Sequence, residues 1–371
     1  RALGICCRHN DLMVAVTQTI RRSNVRVDVS RALTQIMQHG RTTEWIRANR
    51  APWLATALHQ ELLYGTLRHY LTLQALIGSH LKKPLKPKDL DLMHLMLVGA
   101  YQLIYTDIAE HAAIHESVSA CQALGKAWAR GLINAVLRSI QRQTKSDSMQ
   151  ASDPRSEHPD WMADLFASQY GTAATEMMAA NNQRAPMTLR INTCVIAAAD
   201  YKDQLKAAAV EFTEGPWPEA LTLVQPQPAA DLPGWQQGAC AVQDLGAQCA
   251  SQIIMQLLIN LPTTEGSLRL LDACAAPGGK LFHLKEALTD AGIAHQLYAM
   301  DNKANRLKDL AQIGQRLGHR THEYNDQRRD SSDHQDVGPK DSITVSCADA
   351  GQSPRPFNEA FDAILIDAPC T

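Results

Sequence analysis

Aromatic residues are scarce, 5% of the 371 positions. No apolar run approaches the roughly 18 residues a membrane-spanning helix needs, so an integral helical membrane protein is not expected. No basic start, apolar stretch and small-residue cleavage site mark a signal peptide. Nine cysteines are spread along the chain without paired spacing. That is too sparse for a disulfide scaffold, and we read them as reduced thiols of a cytoplasmic protein. Adjacent Cys6 and Cys7 suit neither a zinc knuckle nor a redox CxxC. The GxGxxG of a dinucleotide fold is missing, which opposes a nicotinamide-dependent oxidoreductase, and so is the GK[ST] ending of a P-loop. HExxH is absent too. His111 and His115 stand four apart on an expected helix without a third ligand in frame, so no metal is expected.

Charge of one sign is scarce in each half. Residues 1–150 hold 19 Lys and Arg against 10 Asp and Glu, a net of +9, and the remaining 221 hold 17 against 28, a net of −11. A basic half joined to an acidic half suggests that the first meets a polyanion, against the alternative of a chance imbalance on solvated faces. Arg8, Arg21, Arg22, Lys82, Lys83, Lys86 and Lys88 are the candidate phosphate contacts.

Residues 1–145 carry helical periodicity throughout. Leu58, Leu62, Leu63, Leu67, Tyr70 and Leu71 recur at helical spacing, as do Leu92, Met93, Met96, Leu97, Ala100, Tyr101 and Ile104. Further helical stretches are His111–Ala127 and Gly131–Ile140, and Lys82–Lys88 is a basic, Pro-broken connector. The expectation is an all-α bundle of about five to seven helices. A polar linker at 146–160 opens a small mixed α/β domain to 240. It holds one helical segment, Trp161–Met178, and a strand-like PMTLRINT, Pro186–Thr193.

From 241 to 371 strands and helices alternate. Expected strands are Leu268–Ala273, Gln296–Asp301, Ser342–Asp349 and Phe361–Asp367, the last an apolar run of the kind buried on both faces. Expected helices are Gly279–Asp290 and Ala304–Leu317. Such alternation implies a doubly wound parallel sheet. His319–Asp341 is too polar to pack and reads as a surface loop.

The motif DACAAPGGK, Asp272–Lys280, falls where the first strand ends and a helix begins. There an open α/β sheet binds ligands. Gly278 and Gly279 let a backbone turn tightly and a ligand approach, and Pro277 stiffens the loop. A tight βα turn and nothing more is the bland alternative. Asp301 ends the second strand, placed either to accept from ribose hydroxyls or to cap the next helix. Asp349, at the end of the third strand, could accept from an adenine amino group or be a turn residue. Asp367 ends the fourth and opens DAPC, Asp367–Cys370. Cys370 on its own could be a small buried hydrophobe.

CAAPGGK followed by DAPC resembles the RNA cytosine-C5 methyltransferases. VQDLGAQCA (Val242–Ala250) and NNQRAPMTLRIN (Asn181–Asn192) resemble segments upstream of that family's cofactor loop. LVGAYQLIYT (Leu97–Thr106) and GLINAVLRSIQRQ (Gly131–Gln143) resemble an N-terminal domain related to the antitermination factor NusB. That pairing narrows the resemblance to the bacterial branch acting on 16S ribosomal RNA.

The resemblance implies a Rossmann-like α/β methyltransferase sheet, incomplete at its C-terminus, preceded by an all-α NusB-like RNA-binding domain. It implies S-adenosyl-L-methionine as cofactor, held by Cys274, Ala275, Ala276, Pro277, Gly278, Gly279, Lys280, Asp301, Asp349 and Asp367. It implies RNA as partner. In this family a thiolate adds to C6 of cytosine, C5 then takes the methyl group, and loss of the C5 proton expels the enzyme. The attacking cysteine lies in a Thr-Cys motif and the Pro-Cys cysteine, here Cys370, serves product release. Thr193-Cys194 has the right letters but lies upstream of the cofactor loop and is rejected. The chain begins at Arg1 and stops at Thr371, so a longer enzyme is expected. The chain as given is expected to bind RNA and cofactor without forming the adduct. The competing expectation is a non-catalytic RNA-binding protein with a vestigial sheet. A DNA cytosine methyltransferase would place its attacking thiol in the Pro-Cys motif and lack the helical domain.

Overall fold

Asn24 starts the first described helix: its side chain accepts the Arg26 amide at 3.0 Å, opening α1 (Val25–His39). Thr42 and Thr56 cap α2 (Thr43–Asn49) and α3 (Ala57–Arg68) in the same way. α4 (Tyr70–His80), α5 (Leu90–Tyr105), α6 (Glu110–Ala123) and α7 (Arg130–Ser146) follow. The computed structural model describes residues 24–50, 56–146, 153–260, 266–324, 341–352, 357 and 360–368. Arg8, Arg21, Arg22 and Cys370 therefore lie outside the described residues.

A helix that is apolar on every side belongs at the centre of a bundle. Such is α5, buried from Leu92 to Gln102, with α1, α3, α4, α6 and α7 packed around it. α6 ends at Ala123, short of the expected Ala127, and a 3₁₀ turn at Ala127–Ala129 leads into α7. Where one helix was expected from Trp161 to Met178 there are two, α8 (Asp160–Tyr170) and α9 (Ala174–Asn181). Gly171 separates them at φ +55°, a conformation that ends an α-helix. The turn before α8, Pro154–Glu157, is tied to the bundle, with His69 Nδ1 2.9 Å from Glu157 Oε1. Two compact units result, Arg1–Arg184 and Ala185–Thr371.

The second unit opens with a four-stranded antiparallel sheet of order β2-β3-β1-β4. Its elements are β1 (Met187–Ile191), α10 (Ala198–Ala207), β2 (Phe212–Glu214), β3 (Ala220–Leu223) and β4 (Cys240–Val242). The period of two divides β1 between two surroundings. Leu189 and Ile191 join Tyr201, Leu205, Leu221 and Leu223 in one core. Arg190 is buried on the other side, its guanidinium donating to Glu286 in the helix Gly279–Asp290.

That sheet is parallel throughout, of order β7-β8-β6-β5-β9. Its elements are α11 (Leu245–Ile259), β5 (Leu268–Asp272), α12 (Gly279–Asp290), β6 (His295–Asp301), α13 (Ala304–Arg316), β7 (Arg320–Glu323), β8 (Ser342–Cys347) and β9 (Ala363–Leu365). Leu281, Leu284 and Leu288 of α12 and Leu310 of α13 pack on Leu270, Leu297, Ala299 and Ile343. Two expectations are corrected. The polar stretch 319–341 begins with a strand, β7, whose backbone pairs with β8 regardless of its polar side chains. β9 is an edge strand among the described residues, not a strand buried on both faces, and Ile364 is 53% and Ile366 68% exposed.

Candidate active site

Strand order places the site. The chain runs from β5 to β6, out to the edge strand β7 and back to β8 between them, then crosses to β9 on the other flank of β5. The reversal leaves a crevice at the carboxyl end of β5, where such sheets bind ligands. Register brings the acidic residues there. Asp272 of β5 pairs with Ala299 of β6 and Leu365 of β9, and each neighbour continues two residues further, to Asp301 and Asp367. The period of two keeps Asp272 and Asp301 on one face.

Asp272 is buried, and burial pushes its carboxyl up to about 6. The Cys274 amide, donating to Oδ1 at 3.2 Å, opposes that rise; the charges of Asp367 and Asp301 add to it and Lys280 counters them. Burial also raises the Cys274 thiol, and Asp272, Asp301 and Asp367 raise it further.

The loop is built for close approach. Ala275 and Ala276 are buried beneath it, and the Ala276–Pro277 bond is cis. Gly278 sits at φ +106°, where a Cβ would fall 2.3 Å from the Phe282 ring. Gly279 differs: a Cβ there would meet only Gln243 Nε2, at 4.0 Å, so the space beside it is open. The first amides of α12 have no intrahelical acceptor and face this end.

Each carboxylate oxygen of Asp301 accepts one hydrogen bond at the tip of β6. Oδ1 accepts the Lys303 amide at 3.0 Å and Oδ2 accepts Arg306 Nη1 at 3.1 Å. Arg306 Nη2 also donates to the Ala276 carbonyl, tying the tip of β6 to the loop. Lys280 pairs with Asp367 across the crevice. Asp349 is exposed in a turn, accepting the Gly351 amide at 2.9 Å and the Gln352 side chain at 3.2 Å. The structure thus gathers Asp272, Cys274, Lys280, Asp301 and Asp367 around one loop. Sequence reading passed over Asp272 as a ligand residue although the motif contains it, and missed Arg306, whose helical position gave no signal. Cys194 lies elsewhere: its thiol donates to the Glu286 carbonyl at 3.6 Å, and burial with the Glu286 and Asp290 charges raises its pKa.

Profile comparison divides the chain in three. The NusB family matches residues 15–142, the ferredoxin-like domain of RsmF/B-like methyltransferases matches 158–230, and 16S rRNA methyltransferase RsmB/F matches 258–371. Ribosomal RNA small subunit methyltransferase B of Vibrio vulnificus is 34% identical over 357 residues, covering 94% of this chain and 76% of its own length. The chain belongs to the RsmB/F methyltransferase family. The Klebsiella pneumoniae member is 32% identical over 360 residues, 94% of this chain and 74% of its own. A solved structure described as PH0851 superposes with a TM-score of 0.63 at 17% identity, over 100% of this chain and 76% of that one, and shares the fold. RsmB/F membership and the helical, NusB-like start of the chain agree with the architecture above.

The donor set fits the cofactor that the fold implies. S-adenosylmethionine carries a sulfonium cation and two ribose hydroxyls; three carboxylates ring the loop, and the space beside Gly279 is one a side chain would fill. Among the described residues no group of three His, Cys, Asp or Glu could hold a metal ion, and no helix is long and apolar enough to cross a membrane.

Proposed function

We propose that this chain is the RNA- and cofactor-binding body of an S-adenosylmethionine-dependent methyltransferase that modifies C5 of cytosine in 16S ribosomal RNA. The observation that carries this reading is the convergence of Asp272, Asp301 and Asp367 on the glycine loop at the crossover of the sheet. Membership of the RsmB/F family supports the substrate class.

When bound, S-adenosylmethionine supplies an activated methyl group on a sulfonium. Asp301 would accept from the ribose hydroxyls, which hold a ligand against β6. Gly278 and Gly279 would let that ligand lie on the loop backbone. Asp349 would face the adenine amino group. Lys280 holds Asp367, the first residue of DAPC, at the mouth of the crevice. Cys370 would act in product release, the attacking thiol of the family lying in a Thr-Cys motif. A target base must leave its stack to reach such a thiol. The net charge of +9 over residues 1–150 supports phosphate contacts that position the RNA without reading its sequence. Lys82, Lys83, Lys86 and Lys88 are exposed for that purpose.

Two measurements test the reading. Calorimetry should show S-adenosylhomocysteine binding to this chain; failure to bind would favour an RNA-binding protein with a vestigial sheet. Incubation with fluorocytosine-containing RNA and S-adenosylmethionine should give no complex that survives denaturation. A surviving complex would place the attacking thiol within this chain.

A further inference from the structure

Gln243 follows β4 and is 6% exposed. Its backbone is held on both sides, its amide donating to Thr188 at 3.1 Å and its carbonyl accepting Gln248 Nε2 at 3.0 Å. Its side chain is aimed by Arg190, which is 1% exposed on β1. Arg190 Nη1 donates to Gln243 Oε1 at 2.6 Å and to the Gly279 carbonyl at 2.8 Å, and Nη2 donates to Glu286 Oε1 at 2.8 Å. A guanidinium offers donors only, so the Gln243 amide must turn its oxygen to Arg190 and its nitrogen away.

That nitrogen has no hydrogen-bond partner in the protein. Buried amide donors are almost always paired, and one left unpaired is costly. It is buried, 4.0 Å from where a Cβ on Gly279 would stand. That position lies at the N-terminus of the 12-residue α12, next to Lys280. Lys280 is paired with Asp367, so the amide donor and the positive end of the helix are what favour an anionic acceptor here. A buried Arg–Glu pair is no more stabilising than apolar packing of equal volume. Its distinctive effect here is to fix the Gly279 carbonyl and the Gln243 amide relative to each other.

We propose that Gln243 is a cofactor-binding residue: its Nε2, aimed by Arg190, donates to the carboxylate at the amino-acid end of the cofactor in the space beside Gly279. Arg190 is then a positioning residue. The proposal rests on the cofactor reading given above and adds a donor from the small antiparallel sheet to a site otherwise built on the parallel one.

Two ligands separate this hydrogen bond from general damage. S-adenosylhomocysteine carries the amino-acid carboxylate, and 5′-methylthioadenosine lacks that end. Gln243→Glu keeps an acceptor for Arg190 and replaces the donor by a negative oxygen. It should weaken S-adenosylhomocysteine about tenfold or more, the loss of a charge-assisted hydrogen bond, and leave methylthioadenosine unchanged. Gln243→Asn, which retracts the amide by one methylene, is the second variant should the glutamate fail to fold, and should show the same selectivity. Arg190→Lys should give a smaller selective loss. Equal weakening of both ligands, or none, overturns the proposal. If the unmodified chain binds neither ligand, the cofactor reading itself fails and this proposal with it.

Discussion

Arg306 and Asp301 form an ion pair at 3.1 Å at the tip of β6, and the same guanidinium holds the Ala276 carbonyl of the glycine loop. The acidic residue proposed to meet a ribose is thus joined to the loop by a cation five positions further along the chain, on α13. Asp301→Ala should weaken S-adenosylhomocysteine binding about tenfold, roughly 1.4 kcal/mol. Arg306→Ala should weaken it less, because the carboxylate stays in place held by the Lys303 amide. Titration calorimetry on both variants checks the order; a larger loss in Arg306→Ala would mean that loop anchoring outweighs the carboxylate.

The two glycines of the loop should respond differently to the same substitution. Gly278→Ala forces φ +106° on a residue with a Cβ and drives that atom to 2.3 Å from Phe282. A cost of about 1–3 kcal/mol in stability follows, read by urea unfolding. Gly279→Ala meets nothing closer than 4.0 Å, so stability should hold. The added methyl occupies the open space, and cofactor affinity should fall instead. Equal destabilisation of the two variants would contradict this assignment of steric roles.

Asp272 gives the site a pH dependence with a defined sign. Its folded carboxyl lies at about 6 against 3.8 as the ordinary value. Between those values the folded chain retains a proton that the unfolded chain has lost. Stability therefore declines as pH rises from about 4 to about 6, by up to about 3 kcal/mol, and stays lower above that range. Asp272→Asn, which still offers an oxygen to the Cys274 amide, should flatten that decline and melt higher than the natural chain at pH 8. Parallel stability profiles for the two proteins would refute the raised carboxyl.

Lys82, Lys83, Lys86 and Lys88 are exposed on the connector before α5. Replacing all four by Gln should leave the bundle folded, since none is in its core. RNA affinity should fall, and the slope of log affinity against log salt should shrink by about 0.7 for each phosphate no longer neutralised. An unchanged slope would move the RNA path to another face.

Much of this was legible in the residues. Helical spacing from Leu58 to Leu71 and from Leu92 to Ile104 is a local property, and the bundle follows it. α12 occupies Gly279–Asp290 as its apolar face and the two glycines indicate. Strands that carry apolar runs, Leu268–Asp272 and His295–Asp301, also declared themselves. β2, β3, β4 and β7 did not, because strands of three or four residues without an apolar run, such as marks β9, owe their form to backbone bonds with distant partners. Leu223, for instance, pairs with Met187 on one side and Phe212 on the other.

The chain's own letters determined the helical first unit, the alternating second one, and a glycine turn between a strand and a helix, because each depends on residues a few positions apart. Tertiary structure alone decided that Asp272, Asp301 and Asp367 share a crevice, since strand order and register set that distance and neither is local. It alone decided that Arg190 meets Gln243, Gly279 and Glu286 across 53, 89 and 96 positions of sequence. No periodicity encodes which buried donor finds which acceptor; packing the antiparallel sheet against α12 does.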